Sequence, residues 1–161
     1  MWTATYILSI VLVNWLFVVV PPLATPVGDL NLATLVVGSV FVLRDYAQRE
    51  IGHKVLAATL TAGAITWFMT SPELAIASLT AFFISEMADW AVFSFTKRPL
   101  QNRILISSLI SIPLDSFAFL YLSGFLTAPS FSVETLSKAV GVFIVWLMLR
   151  ARVKDTPASA V

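Results

Sequence analysis

Long apolar stretches alternate along the chain with short connections that contain proline, glycine, serine or charged residues. A helix that crosses a bilayer core about 30 Å thick needs roughly 17 to 25 residues. Six stretches have about this length, over residues 3–20, 31–50, 54–70, 72–96, 103–126 and 133–150. The pattern therefore predicts an all-α bundle of six transmembrane helices within residues 1–153, followed by a disordered tail over 154–161.

The composition agrees with a lipid environment. The chain is 58% hydrophobic and 12% charged, and its mean hydropathy is +0.90, which is typical of membrane proteins. A net charge of +1 provides no large basic surface for nucleic acid. The chain has no cysteine and one histidine, His53, which argues against thiolate and zinc chemistry. We therefore expect no cofactor, no metal and no nucleic-acid partner.

The basic residues predict how the bundle is oriented. Nine of the ten Lys and Arg residues fall near connections on one side of the predicted bundle or in its C-terminal tail, which leaves only Lys138 for the opposite side. Because basic residues accumulate in cytoplasmic connections, both termini are expected to be cytoplasmic, in the cell (inner) membrane. The first stretch lacks a basic start and a small-residue cleavage site, so we interpret it as a retained helix.

Carboxylates inside the apolar stretches are the main functional signal, because a charge in lipid is costly unless it faces a cavity or a partner. Asp45 lies in the second stretch, Glu86 and Asp89 in the fourth, and Asp115 in the fifth. At a rise of about 1.5 Å per residue, Glu86 and Asp115 each lie about 18 Å from one end of their helices. These carboxylates are therefore predicted to meet near the middle of the bilayer.

The fifth stretch has a polar stripe that leads to its carboxylate. Ser107, Ser111 and Asp115 are four residues apart and share a helix face. Pro113 frees a backbone carbonyl just before Asp115, which is tolerated at membrane depth where the backbone lines a cavity. The sequence thus predicts a polar pocket shared by the second, fourth and fifth helices.

Purely structural roles are alternatives for several of these charges. Asp45 with Arg49, or Arg44 with a carboxylate elsewhere, could be ion pairs that only fix helix packing. Glu50 and Lys54 are expected to form an interfacial pair.

The remaining polar and aromatic positions leave similar alternatives open. A purely structural role is less favoured for Glu86, Asp89 and Asp115, because too few cations are expected at their depth to neutralise them all. Trp90 follows a carboxylate and could stack on a ligand or anchor the helix at the interface. Serines often bond to their own helix backbone or join helices to one another.

The order of these motifs resembles the VUT family of vitamin uptake transporters, whose characterised members import queuosine precursors. The resemblance lies in "LRDYAQREIG" on the second stretch, "SEMADWAVF" on the fourth, and an arginine followed by "SSLISIPLDSFAF" on the fifth. It covers roughly residues 31–125. The positions that match the family pattern are Asp45, Arg49, Glu50, Gly52, Glu86, Asp89, Phe93, Arg103, Ser107, Ser108, Asp115, Ser116 and Phe119.

The resemblance implies the import of 7-cyano-7-deazaguanine or its 7-aminomethyl relative through an acidic mid-membrane pocket. One carboxylate can accept both the N1 hydrogen and the amino group of a guanine-like edge, and aromatic rings can cover the flat face of the base. The predicted substrate-binding residues are Glu86, Asp89, Trp90, Phe93, Ser111, Asp115, Ser116 and Phe119. The predicted inner gate or proton relay consists of Arg44, Asp45, Arg49 and Glu50.

Other functions remain open at this stage. The chain could be the substrate-binding membrane subunit of an energy-coupling-factor vitamin transporter, which needs a separate ATPase. It could also be an intramembrane hydrolase that uses Glu86 and Asp89, although it lacks metal ligands, or a structural membrane protein. We expect a transporter and not an enzyme, with the lipid bilayer and a purine-like small molecule as partners. Six short helices form a small bundle, which is compatible with a homodimer.

Overall fold

The computed structural model describes residues 1–25, 28–69, 72–96 and 100–154. Within these residues the chain forms six α-helices and one β-hairpin. Each predicted stretch falls on one helix, and the bounds differ by five residues or fewer. The helices are α1 (Trp2–Val19), α2 (Ala33–Ile51), α3 (Val55–Trp67), α4 (Pro72–Phe95), α5 (Leu100–Ser123) and α6 (Ala128–Lys154).

Four of the helices are long and apolar enough to cross a membrane: α1, α4, α5 and α6. Of the other two, α2 contains several charged residues near its C-terminal end, and α3 has only 13 residues. The count of six spans and the cytoplasmic location of both termini therefore remain predictions. Lys97 and Arg98, which contributed to the predicted orientation, lie outside the described residues, as do residues 155–161 of the predicted disordered tail 154–161; Lys154 is the last residue of α6.

A small β-hairpin connects α1 to α2, where the sequence predicted only a loop. Strand β1 (Leu23–Thr25) pairs antiparallel with β2 (Gly28–Leu30), and Leu23 lies opposite Leu30. Strands of three residues are too short to show the apolar alternation by which a strand is recognised in a sequence.

The N-terminus of α6 is fixed by a reciprocal cap. Oγ1 of Thr127 accepts the backbone N–H of Ser130 at 3.1 Å, and the backbone N–H of Thr127 donates to Oγ of Ser130 at 2.9 Å. Such a cap satisfies backbone donors in the first helical turn. Because α6 begins five residues earlier than residue 133, the predicted start, Lys138 lies about 15 Å along the helix instead of near its end.

The helices pack most extensively in two pairs, α4 with α5 and α2 with α6. The second pair crosses at Gly38 and Gly141, whose backbones are in close contact. A Cβ atom on Gly38 would lie 2.7 Å from Cα of Gly141 and would also meet the carbonyl oxygen of Lys138. Only glycine therefore fits at this crossing.

The bundle has an apolar outside and a partly polar inside. Large apolar side chains such as Leu8, Leu109 and Phe143 are exposed on α1, α5 and α6, as expected for helices that face lipid. Several charged and hydroxyl side chains are buried instead. These are Thr34, Arg44, Asp45, Thr59, Thr66, Ser85, Glu86, Asp89, Ser107, Ser108, Ser111, Asp115, Ser116, Ser137 and Lys138.

Candidate functional site

The first buried polar group surrounds Arg44 on α2. Its Nε donates to Oε2 of Glu86 at 2.9 Å, and its Nη1 lies 3.0 Å from Oδ2 of Asp89. The same Nη1 lies 3.0 Å from Oδ1 of Asp45 and 2.6 Å from Oε1 of Gln48. We call Arg44, Asp45, Glu86 and Asp89 the Arg44 cluster. Since all four side chains have no exposed surface, the cluster ties α2 to α4 inside the bundle.

Hydroxyl groups from three other helices complete this network. The hydroxyl of Tyr6 on α1 donates to Oε2 of Glu86 at 3.0 Å and lies 2.7 Å from Oγ1 of Thr59 on α3. On α5, Ser107 donates to Oδ2 of Asp45 at 3.2 Å. Five helices therefore contribute polar atoms to one buried network.

A second buried group surrounds Lys138 on α6. Its Nζ lies 2.7 Å from Oδ2 of Asp115 on α5 and 2.8 Å from Oε1 of Glu134, one turn earlier on α6. Nζ also contacts Oγ of Ser116 at 3.3 Å, and Ser85 on α4 donates to Oδ1 of Asp115 at 3.1 Å. We call Lys138, Asp115 and Glu134 the Lys138 cluster.

A cavity opens beside the Lys138 cluster, with an empty volume of about 740 Å³ that includes its open mouth. All three members of the cluster line it. The rest of the wall is mostly apolar, and side chains from α1, α2 and α4 contribute to it. A mainly apolar cavity with a few converging polar groups is typical of small-molecule sites. The other wall residues are Ile10, Val13, Asn14, Phe17, Val37, Val40, Ser78, Leu79, Ala81, Phe82 and Phe119.

The predicted substrate residues divide between these places. Asp115 and Phe119 line the cavity, and Ser116 contacts Lys138 behind it. Glu86 and Asp89 belong to the Arg44 cluster and are absent from the cavity wall. Asp115 therefore pairs with a different cation from these two carboxylates.

Three further predicted residues lie outside the cavity wall. Ser111 donates a long hydrogen bond of 3.5 Å to Asp89. Trp90 donates through Nε1 to Nδ1 of His53 at 2.9 Å. The buried ring of Phe93 lies 4.2 Å from the guanidinium carbon of Arg103. Of these, only Ser111 bonds to a member of either cluster.

Arg44 pairs with carboxylates of another helix, as one of the alternatives predicted, but two other pairings on the second helix differ from those expected. Asp45 pairs with its neighbour Arg44, whereas Arg49 is exposed on the surface. Glu50 accepts the backbone N–H of Thr3 at 2.7 Å and also pairs with the N-terminal amine. It was expected to pair with Lys54. The exposed C-terminal end of α2 lies beside the N-terminus of α1, so Glu50 pairs with groups of α1 instead of Lys54.

The expected shortage of buried cations is confirmed in the described part of the chain, where two buried cations, Arg44 and Lys138, pair with five carboxylates. Arg44 neutralises part of the charge on α4, and Lys138 pairs with the carboxylate of α5. The sequence predicted Lys138 on the outer side of the bundle, near the start of the stretch 133–150, and did not single out Glu134, Tyr6 or Ser85. The capping residues Thr127 and Ser130 are the sequence signal that extends this helix back to Ala128 and places Lys138 deeper in it.

The chain matches one family model, described as "Putative vitamin uptake transporter", over residues 1–160. No curated protein and no solved structure matches it. The match spans almost the whole chain and agrees with the four apolar helices of spanning length. Together these findings indicate a membrane protein of transporter type. The chain belongs to the vitamin uptake transporter family.

Proposed function

We propose that the chain imports a queuosine precursor, 7-cyano-7-deazaguanine or its 7-aminomethyl relative, and that the substrate binds in the cavity beside the Lys138 cluster. The observation that carries the proposal is the meeting of Asp115, Glu134 and Lys138 at the wall of an otherwise apolar cavity. In this proposal the protein lies in the cell (inner) membrane with both termini in the cytoplasm.

The polar groups of the cavity complement the edge of a guanine-like base. That edge presents a carbonyl oxygen, an N1 hydrogen and an amino group in a row. A carboxylate of Asp115 or Glu134 can accept the two donors, as acidic side chains do in base recognition. The ammonium group of Lys138, held between them, can donate to the carbonyl oxygen. The wall thus offers acceptors and a donor side by side.

Aromatic side chains provide surfaces for the flat face of the base. Phe17, Phe82 and Phe119 line the cavity, and the ring centroids of Phe17 and Phe119 are 6.4 Å apart. Stacking of a base on an aromatic ring contributes about 1 to 3 kcal/mol. Asn14 and Ser78 add polar atoms to the same wall. We assign Phe119 to stacking and Asp115 to the donor edge.

In this proposal, most of the other predicted residues link the helices that surround the cavity and do not line it. Glu86 and Asp89 hold α4 against α2 through Arg44, and Ser111 links α5 to Asp89. Arg44 and Asp45 remain the proposed inner gate. Arg49 and Glu50, at the exposed end of α2, are assigned no contact with the substrate.

The test is uptake in cells that cannot synthesise the precursor, measured as queuosine in tRNA. Expression of the wild-type chain with added precursor should restore queuosine. Asp115→Asn should abolish this restoration while the variant still reaches the membrane. Phe119→Ala should lower uptake at least about fivefold, the smallest effect expected for a lost stacking contact.

Phe117→Ala is the matched control, because Phe117 lies on the same helix two residues away and is 51% exposed. It should behave like the wild type. If the wild type restores no queuosine, the proposed substrate is wrong. If Asp115→Asn transports normally, the assigned binding site is wrong although the substrate is right.

A further inference from the structure

The Arg44 cluster has an imbalance of buried charge. Three carboxylates, Asp45, Glu86 and Asp89, surround the single guanidinium of Arg44. If all are ionised, two negative charges remain in excess in a site without exposed surface. Among the described residues, no other Lys, Arg or His forms an ion pair with these carboxylates. Because buried charges are costly unless paired, the cluster needs at least one further positive charge.

Two carboxylate oxygens in the cluster also lack a hydrogen-bond donor. Oε1 of Glu86 is buried and accepts no hydrogen bond, and Oδ2 of Asp89 is buried with only its ionic contact to Arg44. Oδ1 of Asp45 and Oδ2 of Asp89 each lie 3.0 Å from the same nitrogen, Nη1 of Arg44. Two carboxylates that meet at one cation repel each other unless one of them carries a proton.

A proton fits these observations better than a metal ion. The described residues contain no group of three or more acidic, His or Cys side chains placed to hold a metal ion. The guanidinium of Arg44 already occupies the centre of the cluster, where a metal ion would need to lie. A proton needs no such space, since it is carried on one carboxyl oxygen.

We propose that the Arg44 cluster binds an exchangeable proton and that this proton is the coupling ion for uptake. The coupling role rests on the proposed function, whereas the presence of the proton does not. The proton is taken up by a carboxylate from the outer aqueous phase and released to the cytoplasm, so uptake moves one proton inward with the substrate.

The groups that face this proton come from all the helices that surround it. Helix α1 contributes the phenol of Tyr6, α2 the guanidinium of Arg44 and the carboxylate of Asp45, and α4 the carboxylates of Glu86 and Asp89. Helices α3 and α5 contribute only the hydroxyl groups of Thr59, Ser107 and Ser111. Among the described residues, Arg44 is the only positively charged side chain in this group.

Two short connections link the proton site to the cavity. Ser85, which precedes Glu86 on α4, donates to Asp115 in the cavity wall. Ser111, one turn before Asp115 on α5, donates to Asp89. A substrate that binds to Asp115 is therefore connected, through these two hydrogen bonds, to the turns of α4 and α5 that hold the proton.

The proton itself is tested by infrared spectroscopy of the purified full chain in lipid at neutral pH. We expect the C=O band of a protonated carboxyl group, which should disappear when the wild type is titrated to alkaline pH. The band should be lost or shifted in Asp45→Asn, Glu86→Gln or Asp89→Asn. The band should persist in Glu50→Gln, which removes an exposed carboxylate of α2, the helix that also carries Asp45. A wild type without the band at neutral pH would overturn the proton site.

The coupling is tested in proteoliposomes with labelled 7-cyano-7-deazaguanine and an imposed pH gradient, acidic outside. One coupled proton and a gradient of one pH unit should give about tenfold accumulation. Glu86→Gln should lose this accumulation but still exchange labelled for unlabelled substrate. If the wild type exchanges substrate without gradient-driven accumulation, the coupling role is overturned and the proposed function stands. If it exchanges none, the proposed function fails together with the coupling, and the infrared band alone decides the proton site.

Discussion

The ammonium nitrogen of Lys138 lies 2.7 Å from Oδ2 of Asp115, and this ion pair joins α6 to α5 at the wall of the cavity. Lys138 is only 2% exposed, and Asp115 is 6% exposed. Buried ion pairs of this kind are costly to break on one side, because the remaining charge stays buried without a partner. The pair therefore affects both the stability of the bundle and the polarity of the cavity.

Lys138→Met should strongly destabilise the protein. The substitution keeps an apolar stem of similar length but leaves Asp115 and Glu134 without their shared cation, which should cost about 3 to 5 kcal/mol. Thermal unfolding of the purified protein in detergent measures the effect. Lys54→Met is the control, because Lys54 is exposed. Equal melting temperatures of the Lys138 variant and the wild type would show that the pair does not stabilise the bundle.

Lysine should not replace Arg44 functionally, although Arg44→Lys keeps the positive charge. Arg44 uses Nε for Glu86 and Nη1 for Asp45 and Asp89, a forked arrangement that a single ammonium nitrogen cannot reproduce. We expect loss of uptake and a lower yield of folded protein, measured by uptake and size-exclusion chromatography. Arg49→Lys, at the exposed end of the same helix, should fold like the wild type. Normal folding and uptake of Arg44→Lys would contradict the geometric role of the guanidinium.

Gly141→Ala should force α2 and α6 apart. A Cβ atom at this position would meet the carbonyl oxygen of Leu35 and lie 3.1 Å from Cα of Gly38, so backbone must move. Overpacking typically costs about 1 to 3 kcal/mol, and backbone contacts leave little room to adjust. At Gly63, the control, a Cβ atom would meet only the flexible end of the Leu79 side chain at 2.9 Å. Thermal unfolding should therefore show a smaller loss for Gly63→Ala than for Gly141→Ala, and the reverse order would refute the tight crossing.

Tyr6→Phe should remove one donor from the Arg44 cluster and leave the packing of the ring unchanged. The hydroxyl donates to Glu86 and contacts Thr59, and a hydrogen bond to a charged group contributes about 1.5 to 3 kcal/mol. We expect a loss of unfolding free energy in this range in denaturant titrations. Tyr121→Phe changes a ring that is 65% exposed and should have no measurable effect. A neutral result for Tyr6→Phe would mean that the hydroxyl does not support the cluster.

Apolar length identifies four of the described helices in the sequence, namely α1, α4, α5 and α6. The least accurate boundary was the start of α6, where Pro129 and the polar residues around it resembled a loop. Proline is tolerated in the first helical turn, where its missing N–H has no intrahelical partner. This one boundary determined whether Lys138 was predicted near the outer end of its helix or deeper along it.

The carboxylates of the site could also be predicted, since each is costly in lipid and so stands out in the sequence. Their partners could not be predicted, because which side chains meet depends on how the helices rotate and cross. Asp45 and Arg49 share a helix face, yet Asp45 bonds to Arg44 and Ser107. Tyr6 is hidden in an apolar stretch of α1, and no spacing rule connects it with Glu86 on α4.

The contact between Gly38 and Gly141 holds α2 and α6 together as one closely packed unit. This unit carries both Arg44 and Lys138. The closely packed pair α4 and α5 carries carboxylates that bind these two cations, namely Glu86, Asp89 and Asp115. Both cations therefore join the same two helix pairs. Any movement that separates these pairs must break the ion pairs of Arg44 and of Lys138 together.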